Sequence, residues 1–295
     1  MFLGVFSGFL VAFLQPIAYL LSRRFFVRGG KALELTIYSQ VIMGLIAMVM
    51  LLVCWPIWSF DGDIAARAAW SMGTILIAQV CYFLAVRFVE ASRLSSMLGL
   101  KLVFLALLNI MLFDERLRSV HWLAVALCTV AAMIMNHSGL KISLKALLAI
   151  IICCFFLAAS DIADYRLVTA IKLENPFMRG VIATGFCYGG LGLVSLPGLF
   201  FLRFDWRKCQ SALPYSAIWM AAMVMFYLCV GLLGTVFTSI IQSSRGLISV
   251  LLGAGVAWLG HADMESKASA AVWLSRLAAA LLIMAAVLIF ACNPL

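Results

Sequence analysis

The sequence predicts an all-α polytopic membrane protein of about ten transmembrane helices, built as two inverted five-helix repeats. Three observations lead there. Of 295 residues, 66% are hydrophobic and only 11% charged, with a mean hydropathy of +1.14, whereas a soluble domain is roughly half apolar and a quarter charged. The apolar residues run in unbroken stretches of the roughly 20 residues that a ~30 Å hydrocarbon core requires, without the alternation of a lipid-facing barrel strand. The chain also matches itself weakly at an offset of about 146 residues, a kind of self-similarity that points to duplicated architecture.

Polar punctuation sets the spans in order. The first, 2–22, ends at Arg23 and Arg24. It lacks the basic leader and small-residue cleavage site of a signal peptide, so it reads as a retained helix. The second, 35–58, follows Arg28 and Lys31 and stops before Asp61-Gly62-Asp63, a short loop with two solvated acids and a glycine for its turn. The third, 69–90, begins after Arg67 and reaches past Arg87; the fourth, 92–113, carries Arg93 at its start. The fifth, 120–137, follows Arg116 and Arg118, and the sixth, 144–169, lies between Lys141 and Lys172. The seventh, 177–202, closes at Arg203; the eighth, 213–235, follows Arg207 and Lys208 and abuts the ninth, 236–259; the tenth, 270–292, follows Lys267. Loops after odd-numbered spans hold the larger share of Lys and Arg. The positive-inside rule therefore puts them in the cytoplasm and both termini outside. The net charge of +9 is read as this orientation signal and not as a nucleic-acid footprint.

At the 146-residue offset Phe9 falls on Phe155, Ala12 on Ala158, Gln15 on Asp161, Tyr19 on Tyr165 and Gly44 on Gly190. One offset aligns the boundaries of all five helix pairs, which divides the chain into repeats at 1–140 and 141–295. An odd number of spans per half makes the second copy enter the membrane from the opposite side. Such inverted repeats are a mark of transporters, whose substrate binds near the midplane where the halves meet.

Several chemistries are excluded. The nine cysteines lie mostly within apolar spans, where cysteine packs as a small hydrophobe. No C-x-x-C pair occurs, and His121, His137 and His261 are too scattered for a zinc site. No phosphate-binding G-x-x-x-x-G-K-[ST], H-E-x-x-H or G-x-S-x-G is present, so no cofactor or metal is expected and uphill work must come from a gradient or an exchange. The stretch from Asp61 to Arg67 mimics the opening of the CDP-alcohol phosphotransferase motif, but its arginine is one position out and the downstream acids are missing.

The end of the first half reads LNIMLFDERLRSVHWLAVALCTVAAMIMN, with Glu115-Arg116-Leu117 in a turn between apolar runs; upstream stands YFLAVRFVEASRLSSMLGLKLVF, and the second half carries TSIIQSSRGLISVLLGAGVAWLG. Together these resemble the drug/metabolite transporter superfamily, in particular its ten-helix EamA-like exporters. The resemblance covers essentially the whole chain and implies two inverted five-helix units, a small-molecule substrate, no enzymatic activity and cytoplasmic termini, the last against the loop count. It points to an integral protein of a bacterial inner membrane. Where relatives carry a proline in the fourth helix this chain has Lys101-Leu102, and the counterpart of Glu115 is His261.

Charge near a helix centre costs about 2.5–3.5 kcal/mol on insertion scales, so intramembrane charges face a cavity or a partner and mark function. Four stand away from helix ends: Lys101, Asp161, Asp164 and Arg245. In the ninth span Thr238, Gln242, Arg245 and Ser249 recur at steps of four, three and four, which keeps them on one face. The functional reading is an anion contact at Arg245; the structural one has Gln242 and Ser249 joining helices. Asp161 and Asp164 share a face of the sixth span with Tyr165 beside them. Two close carboxylates repel in a low dielectric, so either one takes a proton or both find cations; the first suits proton coupling, the second a static pair with Arg245, Lys101 or Arg166. Gln15, Tyr19 and Ser22, beside Pro16, form an uncharged counterpart on the first span, and Gln79 and Tyr82 share a face of the third. Tyr227 is expected to pack with its hydroxyl on a neighbour.

This balanced set favours a secondary transporter exporting small polar or zwitterionic metabolites such as amino acids, Arg245 or Lys101 holding a carboxylate and Asp161 or Asp164 an ammonium. A multidrug exporter exchanging organic cations for protons ranks second, and a lipid-intermediate flippase third. A membrane-embedded enzyme would want its polar groups at one interface, whereas these lie mid-helix. Oligomeric state is left open.

Overall fold

The computed structural model describes residues 2–55, 57–58, 61–89, 94, 97–113, 120, 122–123, 126–127, 130–131, 134, 142–202, 204–259 and 269–292. They form helices α1 (Phe2–Val27), α2 (Ala32–Val53), α3 (Gly62–Val86), α4 (Lys101–Phe113), α5 (Leu144–Ala170), α6 (Pro176–Ser195), the single turn α7 (Gly198–Phe201), α8 (Trp206–Trp258) and α9 (Ala270–Cys292). No strand occurs among the described residues. Among the described residues, seven segments are long and apolar enough to cross a membrane: the first three helices, α5, Pro176–Phe201, and the two limbs of α8, Trp206–Thr235 and Phe237–Trp258. The predicted fifth span lies mostly outside the described residues, as do the Glu115 turn, His121, His137 and His261.

The distribution of side chains is that of a protein in lipid. Phe200 and Phe201 at the bundle's end are about 90% exposed, while Asp164 is 1% exposed and Gln40 fully buried. Backbone polar groups have no water to turn to in hydrocarbon, so each span satisfies them within its own helix.

Helix starts follow local chemistry. The α3 helix begins at Gly62, seven residues before the expected 69, because Asp61 is not a free loop acid: its Oδ1 accepts from the Ile64 amide at 2.8 Å and caps the orphan donors of the first turn. Gly62, expected to supply a turn, is thereby the first helical residue. Asn175 does the same for α6, accepting from Phe177 N and Met178 N ahead of Pro176, a proline at the position that needs no amide donor. Ser143 caps α5 through the Ala146 amide.

Gly234 divides α8. Its φ of +76° and ψ of 174° lie where a residue with a β-carbon is strained, and the chain reverses there between two limbs. The α1 helix packs in the angle between them, so that a β-carbon on Gly8 would stand 3.0 Å from both Cys229 of one limb and Ile241 of the other. Helices α2 and α6 approach as closely as backbones can: a β-carbon on Gly44 would stand 2.5 Å from the Cα of Gly192. Small residues at such crossings let dispersion contacts replace the hydrophobic effect that lipid does not supply. At one end of the bundle the finish of α1 is tied to that of α3 by Arg23, whose Nη1 donates to the carbonyls of Val86 (2.6 Å) and Arg87 (2.9 Å). At the same end Lys208 pairs with Glu34 at 2.7 Å and the Asp205 amide donates to the Tyr38 hydroxyl, joining the starts of α2 and α8.

Gly192→Ala is expected to force α2 and α6 apart at a cost of about 1–3 kcal/mol, the usual penalty of overpacking. Gly73→Ala, in the exposed middle of α3 with open space beyond it, should instead gain up to ~1 kcal/mol from helix propensity. Tryptophan-fluorescence melts of the purified protein in detergent check both: the Tm should fall for the first variant and hold or rise for the second.

Candidate functional site

Five helices meet around a central cavity of about 30 Å³, lined by Gln15 and Tyr19 of α1, Ile75 of α3, Lys101 of α4, Asp161 and Asp164 of α5, and Trp219, Gln242 and Arg245 from both limbs of α8. That volume holds about two waters.

Gln15, Tyr19, Lys101, Asp161, Asp164, Gln242 and Arg245, all singled out in the sequence, therefore line one cavity. Tyr165, Gln79 and Tyr82 do not. Tyr165 is 40% exposed: it follows Asp164 by one residue, and a step of about 100° around the helix carries it out of the bundle. Gln79 and Tyr82 are buried but lie beside the cavity rather than on it. Gln79 accepts from the Gln40 side chain and donates to the Tyr215 hydroxyl at 3.2 Å. Tyr82 stacks on Tyr19, ring centroids 4.7 Å apart, with its hydroxyl 3.4 Å from that of Ser22. Tyr19, Tyr82, Tyr215 and Trp219 form a continuous aromatic cluster, of which Tyr19 and Trp219 line the cavity. Trp219 is anchored by an indole donation to the Tyr188 hydroxyl at 2.8 Å.

The charges are sorted. Lys101 stands where a one-turn 3-10 helix, Leu98–Leu100, passes into α4, in the neighbourhood of the absent proline. Its Nζ donates to Asp161 Oδ2 at 2.8 Å and to Gln242 Oε1 at 2.9 Å. The pairing with Lys101 is thus the one realised for Asp161 among the alternatives the sequence raised. Ser239 Oγ adds a long contact of 3.4 Å to the same oxygen, while Asp161 Oδ1 accepts nothing among the described residues.

Asp164, one turn further along α5, is surrounded by hydroxyls. Ser71 Oγ and, at 2.7 Å, Tyr227 OH donate to Oδ1, and Ser160 Oγ donates to Oδ2 at 3.2 Å. Ser71 and Ser160 gave no signal in the sequence, since isolated serines are common in membrane helices. Tyr227 does place its hydroxyl on a neighbour, and that neighbour is an intramembrane carboxylate.

Arg245 is 4% exposed and forms no ion pair among the described residues. Its Nη1 donates to Gln15 Oε1 at 2.7 Å and to the Tyr19 hydroxyl at 3.4 Å, and its guanidinium lies 5.8 Å from the Tyr19 ring. The polar stripe is buried as the spacing predicts, with Thr238, Gln242, Arg245 and Ser249 all at 4% exposure or less. Two of its donors, Gln242 Nε2 and Arg245 Nε, are buried without a hydrogen-bond partner among the described residues. Among the described residues no group of three or more His, Cys, Asp or Glu is placed to hold a metal.

Residues 2–137 match the EamA-like transporter family. The match covers the first half of the chain and agrees there with the resemblance drawn from the sequence. A crystal structure titled only as that of a protein shares the fold, with a TM-score of 0.62 at 16% identity over 96% of this chain and 94% of its own. No protein of curated function matches the chain.

Removing one partner of the buried pair strands the other. Lys101→Met or Asp161→Leu alone should cost about 3–5 kcal/mol, and the double variant should regain most of it because two apolar side chains carry no desolvation penalty. A double-mutant cycle of thermal stability in detergent checks this; additive losses would mean that the two groups do not interact.

Proposed function

Given an EamA-like transporter unit over residues 2–137, we propose that the protein is a secondary exporter of small zwitterionic metabolites, amino acids above all. It works by alternating access between inverted five-helix units at 1–140 and 141–295. In this reading it is not an enzyme and resides in a bacterial inner membrane. One observation carries the substrate class: the hydrogen-bonding capacity left over in the cavity is of both signs. Among the described residues Arg245 Nε and Gln242 Nε2 are donors without acceptors, one turn apart on α8, and a carboxylate satisfies both. Asp161 Oδ1 is an acceptor without a donor among the described residues, and an ammonium satisfies it. Unpaired buried groups each cost about 1–3 kcal/mol, so a ligand that completes them is favoured over one that cannot. Lys101 and Asp161 balance each other, which leaves a neutral zwitterion to enter without adding net charge to the membrane interior. That Gln15 and Asp161, partners at the 146-residue offset, line the same cavity from different helices supports the two-unit arrangement.

Substrate entry requires the aromatic cluster of Tyr19, Tyr82, Tyr215 and Trp219 to part on one side, since a cavity with room for about two waters is too small for an amino acid. The same aromatic wall favours a second reading, exchange of organic cations against protons, because ring faces attract cations. The unpaired guanidinium of Arg245 opposes a cationic ligand in the same space, and the zwitterion reading takes precedence.

In proteoliposomes the protein is expected to exchange labelled neutral amino acids and to leave quaternary ammonium ions behind. Arg245→Gln should lower the exchange about tenfold or more, the equivalent of a charge-assisted hydrogen bond of ~1.5–3 kcal/mol. Transport of the ammonium ions alone, undiminished in the variant, would transfer the assignment to the cation exporter.

A further inference from the structure

The two carboxylates of α5 have opposite surroundings, and their difference assigns them different work. We propose that Asp164 carries the proton that drives transport, while Asp161 serves the substrate; the assignment rests on the transport reading above.

The argument is one of hydrogen-bond chemistry. An ammonium only donates. If Asp161 took a proton, Lys101 would be left as an unpaired charge inside the bilayer, an arrangement that costs several kcal/mol. Asp161 Oδ2 is therefore committed to Lys101. A hydroxyl both donates and accepts, and all three partners of Asp164 are hydroxyls: Ser71, Ser160 and Tyr227. With the carboxylate charged, all three donate to it. When a proton adds to a carboxylate oxygen, one O–H bond forms, and the hydroxyl facing it turns from donor to acceptor. Nothing is stranded in either state. Ser71 has somewhere to turn, since its Oγ also lies 3.2 Å from Cys187 Sγ.

Of the groups that face Asp164 from the helices packed on it, Asp161 is the charged one. Its helix supplies Asp161 and Ser160, α3 the neutral Ser71, α6 Cys187 and Tyr188, and α8 Tyr227. Lys101 and Arg245 share the cavity, Lys101 being already committed to Asp161. Asp164 is thus a buried carboxylate with no cation partner among the described residues, one helical turn from the free oxygen of Asp161. Positive charge arriving as a substrate ammonium on Asp161 Oδ1 and positive charge arriving as a proton on Asp164 compete for the same small volume. By linkage each weakens the other's binding, and this is the condition for exchanging a zwitterion against a proton.

The test uses the full chain in proteoliposomes with an equimolar mixture of labelled neutral amino acids. Self-exchange without a gradient is compared with accumulation driven by an imposed pH gradient, and the ratio of the two is read, so that a general loss of turnover cancels. Wild type is expected to accumulate the label against its gradient, Asp164→Asn to lose that accumulation, and Asp164→Glu, which keeps a titratable carboxyl, to retain it. Gradient-driven accumulation persisting in Asp164→Asn would overturn the assignment, as would wild type that exchanges amino acids yet ignores the pH gradient. Wild type that exchanges no amino acid would overturn the transport reading itself and the assignment with it. Should Asp164→Asn fail to fold, loss of the gradient response in Asp164→Glu with its self-exchange intact would also overturn the proposal.

Discussion

A lysine and an aspartate paired inside the bilayer, Lys101 and Asp161, set the terms for the rest of this structure. Neither would be tolerated there alone. Their 2.8 Å contact draws the start of α4 against α5, and the third member, Gln242, draws in the second limb of α8. Three helices from distant parts of the chain are thereby joined at one level.

Around that centre two other devices hold the bundle. Glycines bring backbones together at the α2–α6 crossing and where α1 packs between the limbs of α8, and aromatic rings cluster at the cavity. The first gives tight, irreplaceable contact. The second gives large, plate-like side chains held by single hydroxyl or indole hydrogen bonds, as in Trp219 to Tyr188 and Gln79 to Tyr215.

Much of the helical framework was legible in the sequence because hydrocarbon admits so few solutions: an apolar run of sufficient length must be a helix. The breaks were harder. Asp61 was read as loop because an aspartate before a helix and one in a turn look alike until the Ile64 amide is seen to point at it. The stripe on the second limb of α8 was legible at full resolution, since steps of four, three and four leave one face for Thr238, Gln242, Arg245 and Ser249. The repeat offset misleads at Tyr165, whose partner Tyr19 lines the cavity while it faces outward. Sequence offset aligns positions along an axis and does not set the rotation of each helix about it.

The amino-acid sequence by itself determined that the chain lives in a membrane, where most of its spans run, and that four charges must find partners or a cavity. These follow from composition and from the cost of transfer into hydrocarbon, which depend on nothing beyond the residue and its neighbours in the chain. Tertiary structure alone decided which charge meets which. Asp161 and Asp164 are chemically identical and separated by three residues, yet one lies against an ammonium and the other among hydroxyls. That choice was made by Lys101, Ser71 and Tyr227, brought from 60, 93 and 63 positions away, because hydrogen-bond donors are matched to acceptors in space and not along the chain.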